Sequence, residues 1–186
     1  MASRSPEQVI RDYLSAQRVS VTSQPIPGAS GRRTETSTGG FDARPETIQF
    51  GKARRAPHCQ VHAVTFETQD GQRMRFTCCV RQDSQGEWQF TGGAGGAADH
   101  DPQRSHPWIN LGGGGWPNQF YAGGHVLEHA GEVVRVLLRA ANGTVLEDTV
   151  EDGVALFLTD ETVQLPLYAE LVDAGGRIVS QHRALG

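Results

Sequence analysis

The stretch CQVHAVTFETQDGQRMRFTCCVRQDSQGEWQF, residues 59–90, alternates apolar and polar side chains with a period of two. That period is typical of β-strands, whose successive side chains point to opposite faces of a sheet. A three-residue loop with Gly71 in the left-handed conformation would place Phe66 opposite Met74 and keep the apolar side chains on one face. A two-residue loop would instead pair Glu67 with Met74, so we favour the longer loop. The stretch therefore predicts an antiparallel hairpin followed by a third strand.

Glycine-bearing turns recur along the chain, and the same loop rule predicts further strand pairs. Gly86, Gly143 and Gly176 each close a short polar loop between two strand-like runs. The predicted cross-strand pairs are Val64 with Phe76, Val80 with Phe90, Gln82 with Trp88, Leu138 with Leu146, and Val134 with Val150. Another strand is predicted at 165–172, where Pro166 favours a sheet edge or the start of the strand. These short antiparallel strands predict a mainly β protein.

One helix is predicted near the amino terminus. Ser5 is suited to cap it, Pro6 to occupy its first position, and Gln8 to satisfy a second free amide. The residues that follow at helical spacing are Val9, Ile10, Tyr13, Leu14 and Gln17. They form one stripe that must pack on another element, most simply a sheet. The helix is expected to end near Arg18.

Composition divides the chain into three regions. Residues 1–91 are predicted to form an α+β domain, with one helix on an antiparallel meander and a mobile, Ser/Thr/Gly/Pro-rich loop at 20–40. Residues 92–118 contain two glycine runs and are expected to connect two domains, pinned to a surface by tryptophans. Residues 119–186 are predicted to form a small antiparallel β-sandwich.

Both predicted domains resemble known modules. The helix on a meander over residues 5–91 resembles cystatin-like and NTF2-like domains. The turn sequences NGT at 142–144, DG at 152–153 and DAGGR at 173–177 lie between short apolar strands. This pattern resembles bacterial immunoglobulin-like or transthyretin-like modules. Such modules mostly bind partners or present surfaces, so the resemblance implies a binding role.

Charge is distributed unevenly along the chain. Residues 1–104 carry thirteen basic and eleven acidic side chains and residues 105–186 carry four and ten, which gives net charges of +2 and −6. The second half would repel a polyanion, and the first half is too weakly basic for the several phosphate contacts that nucleic-acid binding needs. We therefore expect a protein partner or a homo-oligomer, and no nucleic acid.

The location of the protein is also constrained by composition. The basic residues are sixteen arginines and Lys52, a bias that indicates a GC-rich, bacterial-type genome. No apolar run approaches the roughly 20 residues that span a bilayer, and residues 1–12 lack the apolar core of a signal peptide. Three cysteines, an odd number, argue against a disulfide framework. We expect a cytoplasmic protein with reduced thiols and no membrane contact.

The sequence HVLEH at 125–129 matches the HxxEH pattern of inverted zinc metallopeptidases. On a helix, His125 and His129 would share a face and could bind one zinc ion. Flanking glycines and the β-rich run that follows argue against a helix, and on a strand the two histidines would lie about 13 Å apart. We therefore expect a strand or turn with exposed histidines and no cofactor, with zinc at His125, Glu128 and His129 as the alternative.

Two other groups of histidines are candidates for metal binding. His58 and His62 repeat the four-residue spacing, but on an extended strand they too would lie about 13 Å apart. The sequence DHD at 99–101, together with His106, could surround a cation if a flexible loop carries it. Solvated side chains are the favoured interpretation of both groups.

Cys78 and Cys79 lie inside a predicted strand. Neighbouring side chains on a strand point to opposite faces, so Cys78 is expected in the core beside His62 and Cys79 on the other face. A catalytic thiol would need a nearby base or helix N-terminus, and neither is predicted there. Structural burial is therefore favoured for both cysteines.

These observations favour a non-enzymatic protein-binding or assembly module over an enzyme. Trp108 and Trp116 of the expected connector, with Arg73 and Arg75 on the outer face of the meander, are the candidate partner-binding residues. The alternative is a small metal-dependent hydrolase or ligand-binding enzyme. It would use the HxxEH segment or the concave face of the predicted sheet.

Overall fold

The computed structural model describes residues 4–22, 35–97 and 105–186. They form one α-helix, α1 (Pro6–Ser15), and thirteen β-strands. The strands are β1 (Arg18–Thr22), β2 (Glu35–Gly39), β3 (Gln49–Ala56), β4 (Cys59–Glu67), β5 (Arg73–Gln82), β6 (Trp88–Ala97), β7 (Trp108–Trp116), β8 (Gln119–Leu127), β9 (Arg135–Ala140), β10 (Val145–Thr149), β11 (Val154–Thr159), β12 (Leu167–Val172) and β13 (Ile178–Leu185). The prediction of a mainly β protein with antiparallel sheets is confirmed.

The strands form four antiparallel sheets. One is the pair β1-β2. We call the others the helix-side sheet (β3-β4-β5-β6), the middle sheet (β11-β8-β7) and the outer sheet (β10-β9-β12-β13). The loop expected at 20–40 is thus wrong at both of its ends, because β1 and β2 pair there with Arg18 opposite Gly39. Its central part, 23–34, lies outside the described residues.

The predicted strand registers are confirmed. Phe66 lies opposite Met74 in the β4–β5 hairpin. The other predicted partners also face each other: Val64 and Phe76, Val80 and Phe90, Gln82 and Trp88, Leu138 and Leu146, and Val134 and Val150. The turn glycines Gly71, Gly86, Gly143 and Gly176 all have a positive φ. Because glycine lacks a Cβ, Gly71 adopts its φ of 84° without the steric cost that other residues meet.

The helix forms as its sequence predicts and covers the helix-side sheet. The Ser5 hydroxyl caps it by accepting a hydrogen bond from the Gln8 N–H at 3.1 Å. Its apolar stripe (Val9, Ile10, Leu14) packs with Phe66, Phe76, Cys78 and Val80 of the sheet. The helix ends at Ser15 and not near Arg18, because Arg18 begins β1.

Three buried clusters separate the layers of the molecule. The first lies between α1 and the helix-side sheet. The second lies between the helix-side and middle sheets and includes Val61 and Tyr121. The third lies between the middle and outer sheets and includes Leu138 and Phe157. The layers therefore run in the order helix, helix-side sheet, middle sheet, outer sheet.

Both glycine runs of the expected connector are strands, so the expectation of a flexible linker there is corrected. Residues 92–97 belong to β6 and residues 108–116 form β7. The physical reason is close approach of the sheets: a Cβ on Gly112 would lie 1.8 Å from the Cβ of Ala94. A side chain would not fit at such a contact. Since β7 pairs with β8, the sandwich of middle and outer sheets includes residues from the expected connector, while the proposed division into domains stays a prediction.

Candidate binding site

The HxxEH segment is not helical. His125 lies in β8, and Glu128 and His129 follow it with positive φ angles of 55° and 43°. His129 is exposed and pairs with Glu132 at 3.3 Å, whereas His125 is buried. The helix that would let both histidines share one zinc ion is therefore not formed. In the described part of the chain, no group of three His, Cys, Asp or Glu side chains could hold a metal ion.

His125 is buried between the helix-side and middle sheets. Burial, together with the nearby Arg75 charge, lowers the pKa of His125 from 6.5 to about 4, against the opposite effect of a hydrogen bond to the Phe76 backbone. The imidazole is thus neutral at pH 7. Neither His125 Nε2 nor Thr77 Oγ1 has a hydrogen-bond partner within the described residues. This position is polar and enclosed, which differs from the exposed histidine predicted from sequence.

The other predicted histidine and cysteine positions do not form one site, although Cys78 lies directly opposite His62 in the β4–β5 pair, as predicted. His62 packs edge-on against Phe50 under the helix, and burial lowers its pKa. His58 is exposed and lies 2.8 Å from the side chain of Gln82. Cys78 and Cys79 point to opposite faces, as predicted: Cys78 belongs to the cluster under the helix and Cys79 to the cluster between sheets. The DHD sequence at 99–101 lies outside the described residues.

The concave face of the helix-side sheet is the second predicted location of an enzyme site. The helix stripe occupies that face, and the ring of Tyr13 stacks on Phe90 with 3.6 Å between centroids. His62 and Cys78, the groups expected there, are both at most 1% exposed. Protein side chains therefore fill the space that a substrate would need on this face.

The four predicted partner-binding residues lie at separate positions. Trp108 is the first and Trp116 the last residue of the nine-residue strand β7, which places them roughly 26 Å apart along an extended strand. Arg73 is exposed near Glu67, at 3.8 Å. Arg75 acts on His125 between the sheets. Trp116 lines an open pocket.

Trp116 is held by two contacts. Its ring stacks on that of Tyr121 with 5.7 Å between centroids and 28° between planes. The Arg81 guanidinium lies 5.0 Å from the centre of the Trp116 ring, a distance at which a cation is attracted to the ring. Tyr121 itself is buried, and burial raises its pKa to about 12. These contacts hold the indole at the end of β7.

An open pocket of about 370 Å³ lies beside Trp116. The glycines at 113–115 line it. Its apolar walls are Trp116, Phe120, Val163, Leu165 and Leu185, and its polar side chains are Gln119, Glu161 and Thr162. Leu165 is 56% exposed, so apolar surface remains in contact with water at the rim. Such a mainly apolar cleft with a few polar groups is typical of binding sites.

The pocket lies on an edge strand. Within the described residues, β7 pairs with β8 and is the last strand of the middle sheet. His182 Nε2 lies 3.4 Å from the Ile109 carbonyl oxygen, so the peptide groups of Ile109 point away from β8. Because this orientation alternates along an antiparallel strand, those of Leu111, Gly113 and Gly115 also point outward. A glycine edge with outward amide groups therefore borders the pocket.

A buried charge cluster joins the helix-side sheet to the outer sheet. The Lys52 and Asp148 side chains are 4% and 1% exposed and lie 2.7 Å apart. Arg54 also pairs with Asp148, and the Leu156 N–H donates to Asp148 Oδ2 at 2.7 Å. Lys52 further contacts Glu151 at 3.2 Å. Both buried charges are therefore matched by partners, as buried charges in proteins generally are.

Sequence reasoning missed the pocket and the charge cluster. The pocket combines residues from 113–120, 161–165 and 185–186, which no local pattern relates. One local signal was present: a glycine run that ends in a tryptophan within a β-rich chain. For the charge cluster, the sole lysine among seventeen basic residues was the corresponding signal.

No helix among the described residues is both long and apolar enough to cross a membrane.

Comparison of the chain with protein-family models, with curated proteins and with solved structures found no match. The similarity to cystatin-like, NTF2-like, immunoglobulin-like and transthyretin-like modules therefore stays a resemblance of sequence pattern.

Proposed function

We propose that this protein is a binding module that takes up an extended segment of a protein partner along the edge of β7. The open apolar pocket beside Trp116 is the observation that carries the proposal. Strand addition at a sheet edge combines backbone hydrogen bonds, which provide affinity, with pockets for alternate side chains, which provide specificity. The edge of β7 can supply the backbone hydrogen bonds, and the pocket beside it can take up a side chain.

The glycine run is suited to this mode of binding. The outward amide groups of Gly113 and Gly115 can pair with a partner strand. Because these positions carry no side chains, a partner backbone can approach closely. An apolar side chain of the partner would then enter the pocket between Trp116 and Leu165. Burial of one such side chain contributes about 1.5–3 kcal/mol.

Charge indicates which partner segments are favoured. Glu161 lies at the pocket, and residues 105–186 carry ten acidic and four basic side chains. A segment with basic residues beside its apolar anchor would therefore be attracted, mainly through faster association at low salt. We expect the preferred segments to alternate apolar and basic or small residues.

Self-assembly is the second candidate function. Among the described residues, three of the four exposed large apolar side chains lie on strands of the outer sheet, namely Val145, Tyr168 and Ile178. Exposed apolar groups on one face indicate an interaction surface. Light scattering after size-exclusion chromatography tests this candidate, since a strictly monomeric protein at high concentration would contradict it.

A library of short random peptides tests the proposed binding site. Peptides selected on the intact protein are expected to contain an apolar anchor and to shift the amide signals of Gly113 and Gly115 in NMR spectra. Leu165→Asp, which places a charge at the rim, should weaken the selected peptides at least about tenfold because an apolar contact is replaced by a charge that must be desolvated.

Ile178→Asp is the matched control. Ile178 is 54% exposed, close to the 56% of Leu165, and lies on β13 outside the lining of the pocket. Its replacement should leave peptide affinity unchanged. Equal binding to the wild type and the Leu165→Asp variant would show that the pocket does not bind the peptides, and a library that yields no binder would contradict the proposal itself.

A further inference from the structure

Two buried thiols meet between the helix-side and middle sheets. The Sγ atoms of Cys59 and Cys79 lie 3.6 Å apart, and both residues are 0% exposed. Both belong to the cluster that also contains Tyr121. Cys78 lies on the opposite face of β5, in the cluster under the helix. The chain therefore contains one pair of adjacent thiols and a third thiol that is separated from them by the sheet.

The register explains why these thiols meet. Cys59 lies opposite Arg81 and Val61 lies opposite Cys79, so the two cysteines are diagonal neighbours on one face of the β4–β5 pair. Side chains at diagonal positions can touch across two strands. A disulfide requires an S–S distance of about 2.05 Å. Rotation of both side chains and a small shift of the strands would close the remaining distance.

The two thiols differ in their acid–base properties. The hydrogen bond from Cys79, assisted by the charge of Arg81, lowers the pKa of Cys59 against the effect of burial. The same hydrogen bond and burial raise the pKa of Cys79. Burial alone raises the pKa of Cys78. Cys59 is therefore the thiol that ionises most readily, and the thiolate is the nucleophilic form.

We infer that Cys59 and Cys79 form an oxidisable dithiol, which hydrogen peroxide converts into a disulfide. The Cys59 thiolate attacks one peroxide oxygen, so an S–O bond forms, the O–O bond breaks and hydroxide leaves, taking up a proton to become water. Cys79 then attacks the Cys59 sulfur, so the S–S bond forms and the S–O bond breaks. The second oxygen leaves as water with the proton of Cys79. In total, two thiols are oxidised and one peroxide is reduced to two water molecules.

The position of Cys59 provides a route for the oxidant. Cys59 is the first residue of β4 and directly follows the exposed turn at 57–58. Ends of hairpins open at a lower free energy than the centre of a sheet. Local opening of the β3–β4 end would therefore expose Cys59 to a small peroxide without unfolding of the whole protein.

The experiment exposes the intact, reduced protein to hydrogen peroxide and then counts thiols after denaturation. The wild type is expected to retain one of its three thiols and to lose the mass of two hydrogens. Tryptic digestion should link the peptide 56–73, which contains Cys59, to the peptide 76–81. Because 76–81 contains both Cys78 and Cys79, variants must identify the partner.

Cys78→Ala is the matched control, since it removes the neighbouring buried thiol and leaves the pair intact. It should form the disulfide-linked peptide as readily as the wild type. Cys79→Ala should form at least about tenfold less of the linked peptide, because it lacks the thiol that attacks Cys59 in the second step. Circular dichroism confirms that each variant is folded. A wild type that keeps all three thiols, or gains only oxygen, overturns the inference independently of any variant. Equal linkage in Cys79→Ala overturns the assignment of Cys79.

Discussion

Two interfaces of the helix-side sheet are built in opposite ways. Its helix-facing side, which we call the aromatic layer, contains Phe41, Phe66, Phe76 and Phe90 beneath α1. On its other side, β5 and β6 contact the middle sheet, and we call this interface the glycine layer. There Gly112 lies against Ala94, and Gly123 lies against Thr77 and Leu156.

The difference concerns how each interface is filled. Large side chains fill the aromatic layer, so the loss of side-chain volume there would destabilise it. In the glycine layer the two sheets approach each other directly, so added side-chain volume would destabilise it. The glycine layer also encloses polar atoms of His125 and Thr77 that have no partner within the described residues. We therefore expect truncation to damage one interface, and enlargement or protonation to damage the other.

The largest effect is expected from Phe76→Ala in the aromatic layer. Phe76 is 5% exposed and contacts the ring of Phe41 at 4.4 Å between centroids. Truncation leaves a cavity and should lower the free energy of unfolding by about 3–5 kcal/mol, measured by chemical denaturation. Phe50→Ala is the control, because Phe50 is only half-buried and should cost less. An equal loss in the two variants would contradict this view of the aromatic layer.

Acidification should act on the glycine layer through His125. The folded-state pKa is about 4 and the ordinary value is 6.5. Above pH 6.5 the imidazole is neutral in both states and its contribution is complete. As the pH falls from 6.5 to 4, the unfolded chain takes up the proton first, so stability is lost, by about 3 kcal/mol in total.

Denaturation at pH 7 and at pH 4.5 measures this effect. His125→Gln should show a smaller loss on acidification than the wild type, because it removes the titrating group. His58→Gln, at an exposed position, should show the same loss as the wild type. If His125→Gln and the wild type lose the same free energy between the two pH values, His125 is not the group responsible.

A smaller effect is expected when one methyl group is added to the glycine layer. The Cβ of Gly112→Ala would lie 1.8 Å from that of Ala94, so the sheets must separate locally, at a cost of about 1–3 kcal/mol. Gly131→Ala is the control, since a Cβ there meets nothing within 4 Å. The midpoint of thermal unfolding should fall for the first variant and stay unchanged for the second. A fall of equal size in both would indicate a general cost of replacing glycine.

The elements that could be predicted from sequence are those specified by neighbouring residues. Gly71 and its flanking alternation determine the β4–β5 register within a few positions, and Ser5 determines the start of α1 in the same way. The glycine runs could not be assigned correctly, because a strand pressed against a second sheet and a flexible linker have the same local composition. What distinguishes them is Ala94 opposite Gly112, a contact between distant strands.

The candidate site was less predictable than the fold for the same reason. Trp116 was identified, but Leu165 and Leu185, which complete the pocket, lie far from it along the chain. The HxxEH motif does not indicate a zinc site here, because its chemistry depends on a helix. Glu128 and His129 adopt left-handed conformations instead. A short motif therefore predicts a site only when the surrounding sequence also predicts the element that positions it.

The buried charge cluster has a consequence for biosynthesis. Arg54 and Asp148 are 94 positions apart, and Lys52 pairs with the same carboxylate. At a translation rate of roughly 5–20 residues per second, β3 leaves the ribosome about 5–20 seconds before β10. Throughout that interval Asp148 is not available to pair with Lys52, so water must solvate the ammonium group of Lys52. The nascent chain can therefore complete the helix and its sheet early, but it can close this corner of the molecule only after most of the protein has been made.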